Sequence, residues 1–235
     1  MDRSDEEIVA EQIRYYDRRA PSYEQLYRRE GRYALEDRGA AETWLRETRA
    51  LERFVRSLGP ADAMLELACG TGLWTRLLAP RAGRMLAVDA AAGMIERNRA
   101  AVADDRVRYE QADLFAWTQH ERFDLVFAGF FLSHIPPDRW LPFWRKVAAW
   151  VAPGGVIAFA DDTWGPDRPR SSQRVPGGPD YAHVRSLHDE EYVIVKRFFR
   201  PQELEAALAD AGIEATVETT GEHFLFGTAR PLASA

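Results

Sequence analysis

A glycine-rich turn after a short apolar run is the first feature of this sequence with the residue types for chemistry. The turn is Glu66–Gly72, with the sequence Glu-Leu-Ala-Cys-Gly-Thr-Gly. Gly70 and Gly72 let the backbone bend sharply and approach a ligand closely, and a helix that follows would point its N-terminus at a negative group. Asp89 ends the next apolar run, 17 residues after Gly72, where a carboxylate can bind both hydroxyls of a ribose. The same arrangement serves nicotinamide dinucleotides, so the turn alone leaves its ligand open.

Alternating apolar runs and helical patterns must position this turn. Five runs have strand character: 63–67, 85–88, 106–110, 123–129 and 156–160. Such alternation predicts a parallel sheet with helices on both faces. The last two predicted strands, 213–219 and 223–229, are joined by only a few residues, which permits an antiparallel hairpin but not a parallel crossover. The predicted fold class is therefore α/β, a Rossmann-like doubly wound sheet that is mostly parallel with one antiparallel C-terminal strand.

The turn resembles the first motif of class I S-adenosylmethionine-dependent methyltransferases, an acidic residue followed by three alternating glycines. Here the motif is Glu66, Ala68, Gly70 and Gly72, and replacing the first glycine by Ala68 should matter little if the backbone there has a negative φ. The nicotinamide fingerprint G-x-G-x-x-G fits less well, because Thr75 stands where its third glycine belongs. Further matches follow in family order over roughly residues 10–230, in the segments 111–114, 123–129, 151–155 and 200–212.

This resemblance implies S-adenosyl-L-methionine as the cofactor. Glu66 would bind the amine of its amino-acid end, Asp89 its ribose, and Met94 would pack on its adenine. Asp113 would accept a hydrogen bond from the exocyclic amine of adenine, and the amide of Leu114 would donate one to the ring. The predicted cofactor contacts are Tyr16, Glu66, Ala68, Cys69, Gly70, Gly72, Asp89, Ala90, Met94, Ala112, Asp113, Leu114 and Gly129. Three simpler explanations stay open: Glu66 as a solvated strand end, Asp89 as a cap of the next turn, and Asp113 as a cap of a short helix.

The same resemblance suggests where the methyl acceptor binds. His134 follows the fourth predicted strand, where acceptor-binding residues of the family lie, and is the candidate general base; the alternative is a packing role. Asp161 ends the fifth predicted strand and is the second catalytic candidate, since it could orient an amine or hydroxyl. Predicted substrate contacts are Tyr23, Phe130, Phe131, Asp162 and Arg174. Tyr16 and Tyr23 belong to a segment similar to the N-terminal lid of small-molecule methyltransferases, whose closure would exclude water from the sulfonium.

We expect a single domain over 1–235. It would consist of an N-terminal lid (1–35), a cofactor-binding core (60–160), an acceptor-side insertion (161–191), and a C-terminal strand, helix and hairpin (192–230). The insertion contains four prolines and three glycines, and so long a loop in a compact domain is usually functional or disordered. We therefore expect it to lie over the carboxyl edge of the sheet.

Composition narrows the possible partners. The formal net charge of −6 argues against nucleic acid, and no apolar run reaches the roughly 18 residues of a membrane span. Cys69 is the only cysteine, which excludes a disulfide within one chain, and the acidic, polar N-terminus argues against a secretory signal, so we expect a cytoplasmic protein. The chain has 29 arginines and only two lysines, which weakens any argument from an arginine cluster.

These features together predict direct displacement at the cofactor methyl by an oxygen or nitrogen of a small-molecule acceptor. No metal is expected, because a catechol-type metal site of the resembled family needs an aspartate just after the fourth predicted strand, and Ala128-Gly129-Phe130 offers none. The chain would act as a monomer or homodimer. A non-catalytic S-adenosylmethionine-binding module and a nicotinamide-dependent oxidoreductase stay open as alternatives.

Overall fold

The computed structural model describes residues 3–34, 37–164 and 173–232. Its strands are β1 (Ala61–Leu67), β2 (Ala82–Asp89), β3 (Val107–Gln111), β4 (Phe123–Gly129), β5 (Val151–Asp162), β6 (Ala182–Leu187), β7 (Glu190–Val195), β8 (Ile213–Thr219) and β9 (Phe224–Pro231). Its α-helices are α1 (Asp5–Arg19), α2 (Tyr23–Arg28), α3 (Arg38–Ser57), α4 (Thr75–Leu78), α5 (Ala92–Val102), α6 (Pro137–Trp150) and α7 (Pro201–Ala209). Among these described residues, every helix is too short or too polar to span a bilayer.

Seven of the strands form one sheet in the order β3-β2-β1-β4-β5-β9-β8. The neighbours from β3 to β5 pair in parallel, whereas β9 runs antiparallel to both β5 and β8. The predicted fold class, including the single antiparallel C-terminal strand, is confirmed. The chain moves outward from β1 to β3 and then crosses back to β4, so a crevice opens where β1 and β4 end, the position at which such sheets bind ligands.

The central strands of the sheet are buried on both faces, which explains their nearly continuous apolar runs. In β1, the five residues from Ala63 to Leu67 are all buried. Leu65 belongs to the apolar layer that contains Trp144 of α6, whereas its neighbour Met64 belongs to the layer that contains Leu51 of α3. Because successive side chains of a strand point to opposite faces, β1 packs against helices on both sides of the sheet.

The lid helix α1 packs on a separate two-stranded hairpin. Strands β6 and β7 pair antiparallel, and Ile8 of α1 is buried in a cluster with Ala182 of β6 and with Val193 and Val195 of β7. The side chain of Gln12 accepts a hydrogen bond from Val195 N at 3.0 Å and donates one to His134 O at 3.3 Å. At the start of the helix, Ser4 and Glu7 form a capping box. The lid and the hairpin are therefore joined to the loop that follows β4.

The sequence predicted a loop over the whole segment 161–191, but the structure contains strands in part of it. Strand β5 continues to Asp162, and β6 occupies Ala182–Leu187. The strand predicted at the start of the C-terminal part (192–230) is β7, which begins at Glu190, ends at Val195 and pairs with β6 rather than with the main sheet. Tertiary packing against α1 determines the pairing of β7 with β6. The sequence of β6 has no period-2 pattern strong enough to predict a strand by itself. Residues 165–172 of the predicted insertion lie outside the described residues.

Candidate active site

The loop after β1 is fastened to the end of β2 by Asp89. One carboxylate oxygen, Oδ2, accepts a hydrogen bond from Gly70 N at 2.9 Å, and the other, Oδ1, accepts one from Ala91 N at 2.9 Å. Burial raises the pKa of Asp89, while these amides act in the opposite direction. The capping alternative is thus realised, but each carboxylate oxygen has a second lone pair. Asp89 can therefore hold the loop and still accept hydrogen bonds from a ligand in the crevice.

Ala68 adopts a backbone conformation that favours glycine. Its φ is +52°, so the condition under which the replacement of glycine would matter little, a negative φ, is not met. The left-handed region costs an L-residue roughly 1–2 kcal/mol, and the surrounding strand ends hold Ala68 there. The alanine in the motif is therefore a strained substitute for the family's glycine.

We expect Ala68→Gly to leave the free energy of unfolding unchanged or to raise it by up to about 1 kcal/mol, because relief of strain offsets the greater freedom of glycine in the unfolded chain. Ala206→Gly, at an exposed position inside α7, is the matched control and should lose about 1 kcal/mol. Urea unfolding of both variants checks this. An equal loss in the two would show that Ala68 is not strained.

Glu66 lies behind the loop in a buried polar network. Its side chain is 1% exposed, and its Oε2 accepts a hydrogen bond from Thr75 Oγ1 at 2.6 Å. Thr75 Oγ1 in turn accepts one from Asn98 Nδ2 at 2.8 Å. Within the described part of the chain, Glu66 Oε1 has no hydrogen-bond partner. Burial raises the pKa of Glu66 to about 8, so the free protein holds this carboxyl largely protonated at neutral pH.

A first cavity opens at the ends of β1, β2 and β4, with about 660 Å³ of empty space including its mouth. Nine of the thirteen predicted cofactor contacts line it: Tyr16, Ala68, Gly70, Asp89, Ala90, Met94, Asp113, Leu114 and Gly129. The other four lie outside its lining: Glu66, Cys69, Gly72 and Ala112. The crevice predicted from the motif is therefore present and has an apolar side at Met94 and a polar side at Asp89.

Asp113 has a structural role as well as a place in the first cavity. Its Oδ1 accepts a hydrogen bond from Phe115 N at 2.9 Å, which caps the short turn that follows, as the alternative explanation proposed. Its second carboxylate oxygen stays available. Asp113 and Leu114 both line the first cavity, and their contact with an adenine edge remains a prediction.

The lid covers the first cavity. Val9, Gln12 and Ile13 of α1 join Tyr16 and Tyr23 in its lining. Asp17 Oδ1 accepts a hydrogen bond from Gly93 N, in the first turn of α5, at 2.7 Å, which ties the lid to the cofactor side. Val9 and Gln12 carried no sequence signal for this role, since an apolar or amide residue on a helix face is ordinary packing.

His134 has both ring nitrogens engaged. Its Nδ1 lies 2.6 Å from Val195 O, and because a carbonyl oxygen only accepts hydrogen bonds, Nδ1 carries the proton. Its Nε2 then accepts a hydrogen bond from the hydroxyl of Tyr16 at 2.8 Å. Burial, followed by the nearby charge of Lys196, places the pKa of His134 well below its ordinary value. The imidazole is neutral, and its single lone pair is occupied.

A second cavity adjoins the first and also has about 660 Å³ of empty space including its mouth. Of the residues that the structure describes, four line both cavities: Tyr16, Tyr23, Phe130 and His134. The second cavity is further lined by Arg19, Leu26, Tyr27, Trp44, Leu73, Asp162, Arg185, Ile194, Lys196 and Phe224. The aromatic junction between the cavities is where a ligand in one would meet a ligand in the other.

The predicted acceptor residues divide into two groups. Tyr23, Phe130, Phe131 and Asp162 line one or both cavities. Asp161 is fully buried and lines neither; its Oδ2 accepts a hydrogen bond from Ser133 N at 2.9 Å. Arg174 lies outside both cavities, exposed and paired with Asp180 at 3.0 Å. Asp161 therefore holds the backbone of the turn after β4 without reaching either cavity, and Arg174 lies on the protein surface.

The sequence analysis did not identify Lys196 as a site residue, although the rarity of lysine in this chain was a signal. It is one of only two lysines in an arginine-rich chain, and the structure buries it, with 8% exposed. Its Nζ donates to Asp162 Oδ2 at 2.7 Å and to Ser133 Oγ at 2.8 Å. Lys196 thereby connects β7 to the ends of β4 and β5.

Comparisons with known proteins agree with this geometry. A family model described as a methyltransferase domain matches residues 64–155. The solved structure of a DhpI–SAH complex is 34% identical with a TM-score of 0.78, and covers 98% of this chain and 100% of that chain. A DhpI–SAM–HEP complex is 35% identical with a TM-score of 0.77, and covers 97% of this chain and 100% of that one. The chain belongs to the S-adenosylmethionine-dependent methyltransferases.

Among curated methyltransferases, trans-aconitate 2-methyltransferase of Azoarcus sp. (strain BH72) is 34% identical over 104 residues, which is 43% of this chain and 40% of that protein. The chain thus matches less than half of the length of this relative. The family's cofactor, S-adenosylmethionine, suits the first cavity, because a buried carboxyl with an unpartnered oxygen, Glu66, lies behind a loop that is fastened to a second carboxylate, Asp89. Among the described residues of this methyltransferase, no cluster of three His, Cys, Asp or Glu side chains is placed to hold a metal ion.

Proposed function

We propose that this chain transfers the methyl group of S-adenosylmethionine to an oxygen of a small-molecule acceptor bound in the second cavity. The observation that carries the proposal is the shared aromatic junction, at which the two cavities meet through Tyr16, Tyr23, Phe130 and His134. A cofactor held by the loop and Asp89 would present its methyl group there, and the acceptor would approach from the opposite side. Direct displacement requires that alignment above all.

The cofactor supplies a sulfonium-activated methyl group. The protein's own residues bind and orient: Asp89 would hold the sugar and Glu66 the amino-acid end, while the lid excludes water from the junction. The tie between Asp17 and Gly93 N keeps α1 against the cofactor side. No residue needs to form a covalent bond.

The nucleophile that fits the junction best is the ionised oxygen of an acid group. The imidazole of His134 is neutral, and its lone pair already accepts from Tyr16, so no free base faces the junction among its four shared residues. Burial also raises the pKa of Tyr16 well above its ordinary value, which keeps the phenol protonated. An acceptor that arrives already ionised, such as a carboxylate, needs no proton removed. The name of the trans-aconitate relatives is compatible with this, since trans-aconitate is a carboxylic acid.

The test is turnover with methyl-labelled S-adenosylmethionine and a panel of small carboxylic acids (trans-aconitate included), alcohols and amines, followed by mass spectrometry. We expect labelled esters of one or more acids. Cofactor binding without any labelled product would support a non-catalytic binding module instead.

For whichever acid reacts, kcat at saturating cofactor should vary little between pH 6 and 9, because burial and the charge of Lys196 hold the pKa of His134 well below its ordinary value. A pH–rate profile of the wild type and of His134→Gln checks this. A limb with an apparent pKa near neutrality that disappears in His134→Gln would instead make His134 the general base.

A further inference from the structure

The second cavity contains a buried guanidinium that has no anionic partner within the described part of the chain. Arg19, at the end of α1, is only 6% exposed, and its Nε has no hydrogen-bond partner among the described residues. Instead of a carboxylate, aromatic rings surround the guanidinium: its Cζ lies 5.6 Å from the ring centroid of Tyr15, 5.3 Å from that of Tyr23 and 5.8 Å from that of Tyr33. Burying a cation is costly unless it is paired, and cation–π contacts offset only part of that cost.

A second arginine, which belongs to the hairpin rather than to the lid, lines the same cavity. Arg185 lies on β6, half-buried, and its Nη1 donates to Gln173 Oε1 and to Val184 O, both at 3.0 Å. Both of these partners are neutral. Lys196 differs, because Asp162 neutralises it at 2.7 Å. The excess positive charge of the cavity therefore comes from Arg19 and Arg185.

These arginines are not among the residues of the junction. The four residues shared by the two cavities are aromatic rings or a neutral imidazole, whereas Arg19 and Arg185 line the second cavity alone. A group bound by the arginines is thus a different part of the acceptor from the atom that faces the methyl group. Guanidinium groups suit planar or tetrahedral oxoanions, which they bind through two parallel hydrogen bonds.

We propose that Arg19 and Arg185 form a subsite for a negatively charged oxoanion group of the acceptor that is not itself methylated. The proposal rests on the proposed function and narrows its substrate class to acceptors that carry an anchoring oxoanion in addition to the reacting oxygen. Because Arg19 belongs to the lid and Arg185 to the hairpin, the anchored group would also hold these two elements together over the site.

The test measures the binding of small anions to the full chain saturated with SAH. Calorimetry at constant ionic strength would use succinate and inorganic phosphate as carboxylate and phosphate probes, with succinamide as the neutral isostere of succinate. We expect at least one anion to bind with a millimolar or tighter Kd and succinamide not to bind. Arg19→Gln and Arg185→Gln should each weaken the anion at least roughly tenfold, as the loss of a charge-assisted hydrogen bond implies, without changing SAH affinity.

The matched control is Arg18→Gln, which removes the neighbouring, exposed arginine paired with Glu190 and should leave the anion's Kd within about twofold. Arg185→Gln keeps the test valid if the more buried Arg19→Gln does not fold. Failure of both anions to bind the SAH-loaded wild type, or equal anion binding by Arg185→Gln and Arg18→Gln, would overturn the subsite and leave the methyltransferase proposal standing. Failure of SAH itself to bind would instead overturn the proposed function.

Discussion

Replacing Asp89 with alanine is expected to weaken SAH binding by at least about a hundredfold. The substitution removes the acceptor for Gly70 N and for Ala91 N, each at 2.9 Å, and with them the carboxylate that would bind the ribose. The substitution removes two or three charge-assisted hydrogen bonds, which contribute roughly 1.5–3 kcal/mol each. Each 1.4 kcal/mol corresponds to a factor of ten in Kd. Calorimetric titration with SAH measures the change.

The matched control for this prediction is Asp105→Ala. Asp105 is exposed and lines neither cavity, so its removal makes the same change in net charge without touching the loop. Thermal unfolding in the absence of ligand shows whether each variant is folded. Equal SAH affinity in the two variants would mean that the cofactor does not depend on the end of β2.

Glu66→Gln is expected to remove a large pH dependence of stability. Burial raises the pKa of Glu66 from 4.5 to about 8, so between these values the folded state binds more protons than the unfolded state. Stability contributed in this way is fully present below about pH 4.5 and is lost as the pH rises through about 8. The shift corresponds to about 5 kcal/mol at 1.36 kcal/mol per unit, and glutamine, which is always neutral, lacks it.

Urea unfolding of wild type and Glu66→Gln at pH 5 and pH 8.5 measures this difference. Relative to the variant, the wild type should lose several kcal/mol at the higher pH. If the stability difference between the two proteins were the same at both pH values, the carboxyl of Glu66 would not be protonated in the folded protein.

Cofactor binding adds a second readout at the same residue. An ammonium group beside Glu66 favours the carboxylate, so binding of S-adenosylmethionine near pH 7 should release a proton in the wild type and none in Glu66→Gln. Calorimetry in two buffers of different ionisation enthalpy detects that proton. Equal proton release by both proteins would place the cofactor's amine away from Glu66.

Much of the fold was predictable because its signals are local. Apolar runs separated by helical patterns specify strands that are buried on both faces, and the short connection before Phe224 left only an antiparallel pairing. The turn around Gly70 and the acid at Asp89 were predictable for the same reason, since spacing along the chain places them at adjacent strand ends. Strand β6 was missed because its pairing with β7 and its packing on α1 are tertiary.

The acceptor side was harder to predict, because its chemistry depends on partners distant in sequence. The state of His134 is set by Val195, 61 residues away, and by Tyr16, 118 residues away. The left-handed backbone of Ala68 is likewise imposed by the strands around it. Arg19 carried no signal of its own among 29 arginines. Arg185 was a candidate for binding an acidic acceptor on the same footing as Arg174, and only burial and hydrogen bonding separate it from the exposed Arg174.

The most direct test of the central claim is a crystal structure of the chain grown with SAH. We expect the nucleoside in the first cavity, its ribose hydroxyls on Asp89 and its amine on the side of Glu66, with the sulfur directed at the junction of Tyr16 and Phe130. A crystal with SAH present in excess that shows this cavity empty, or SAH bound elsewhere on the chain, would contradict the account.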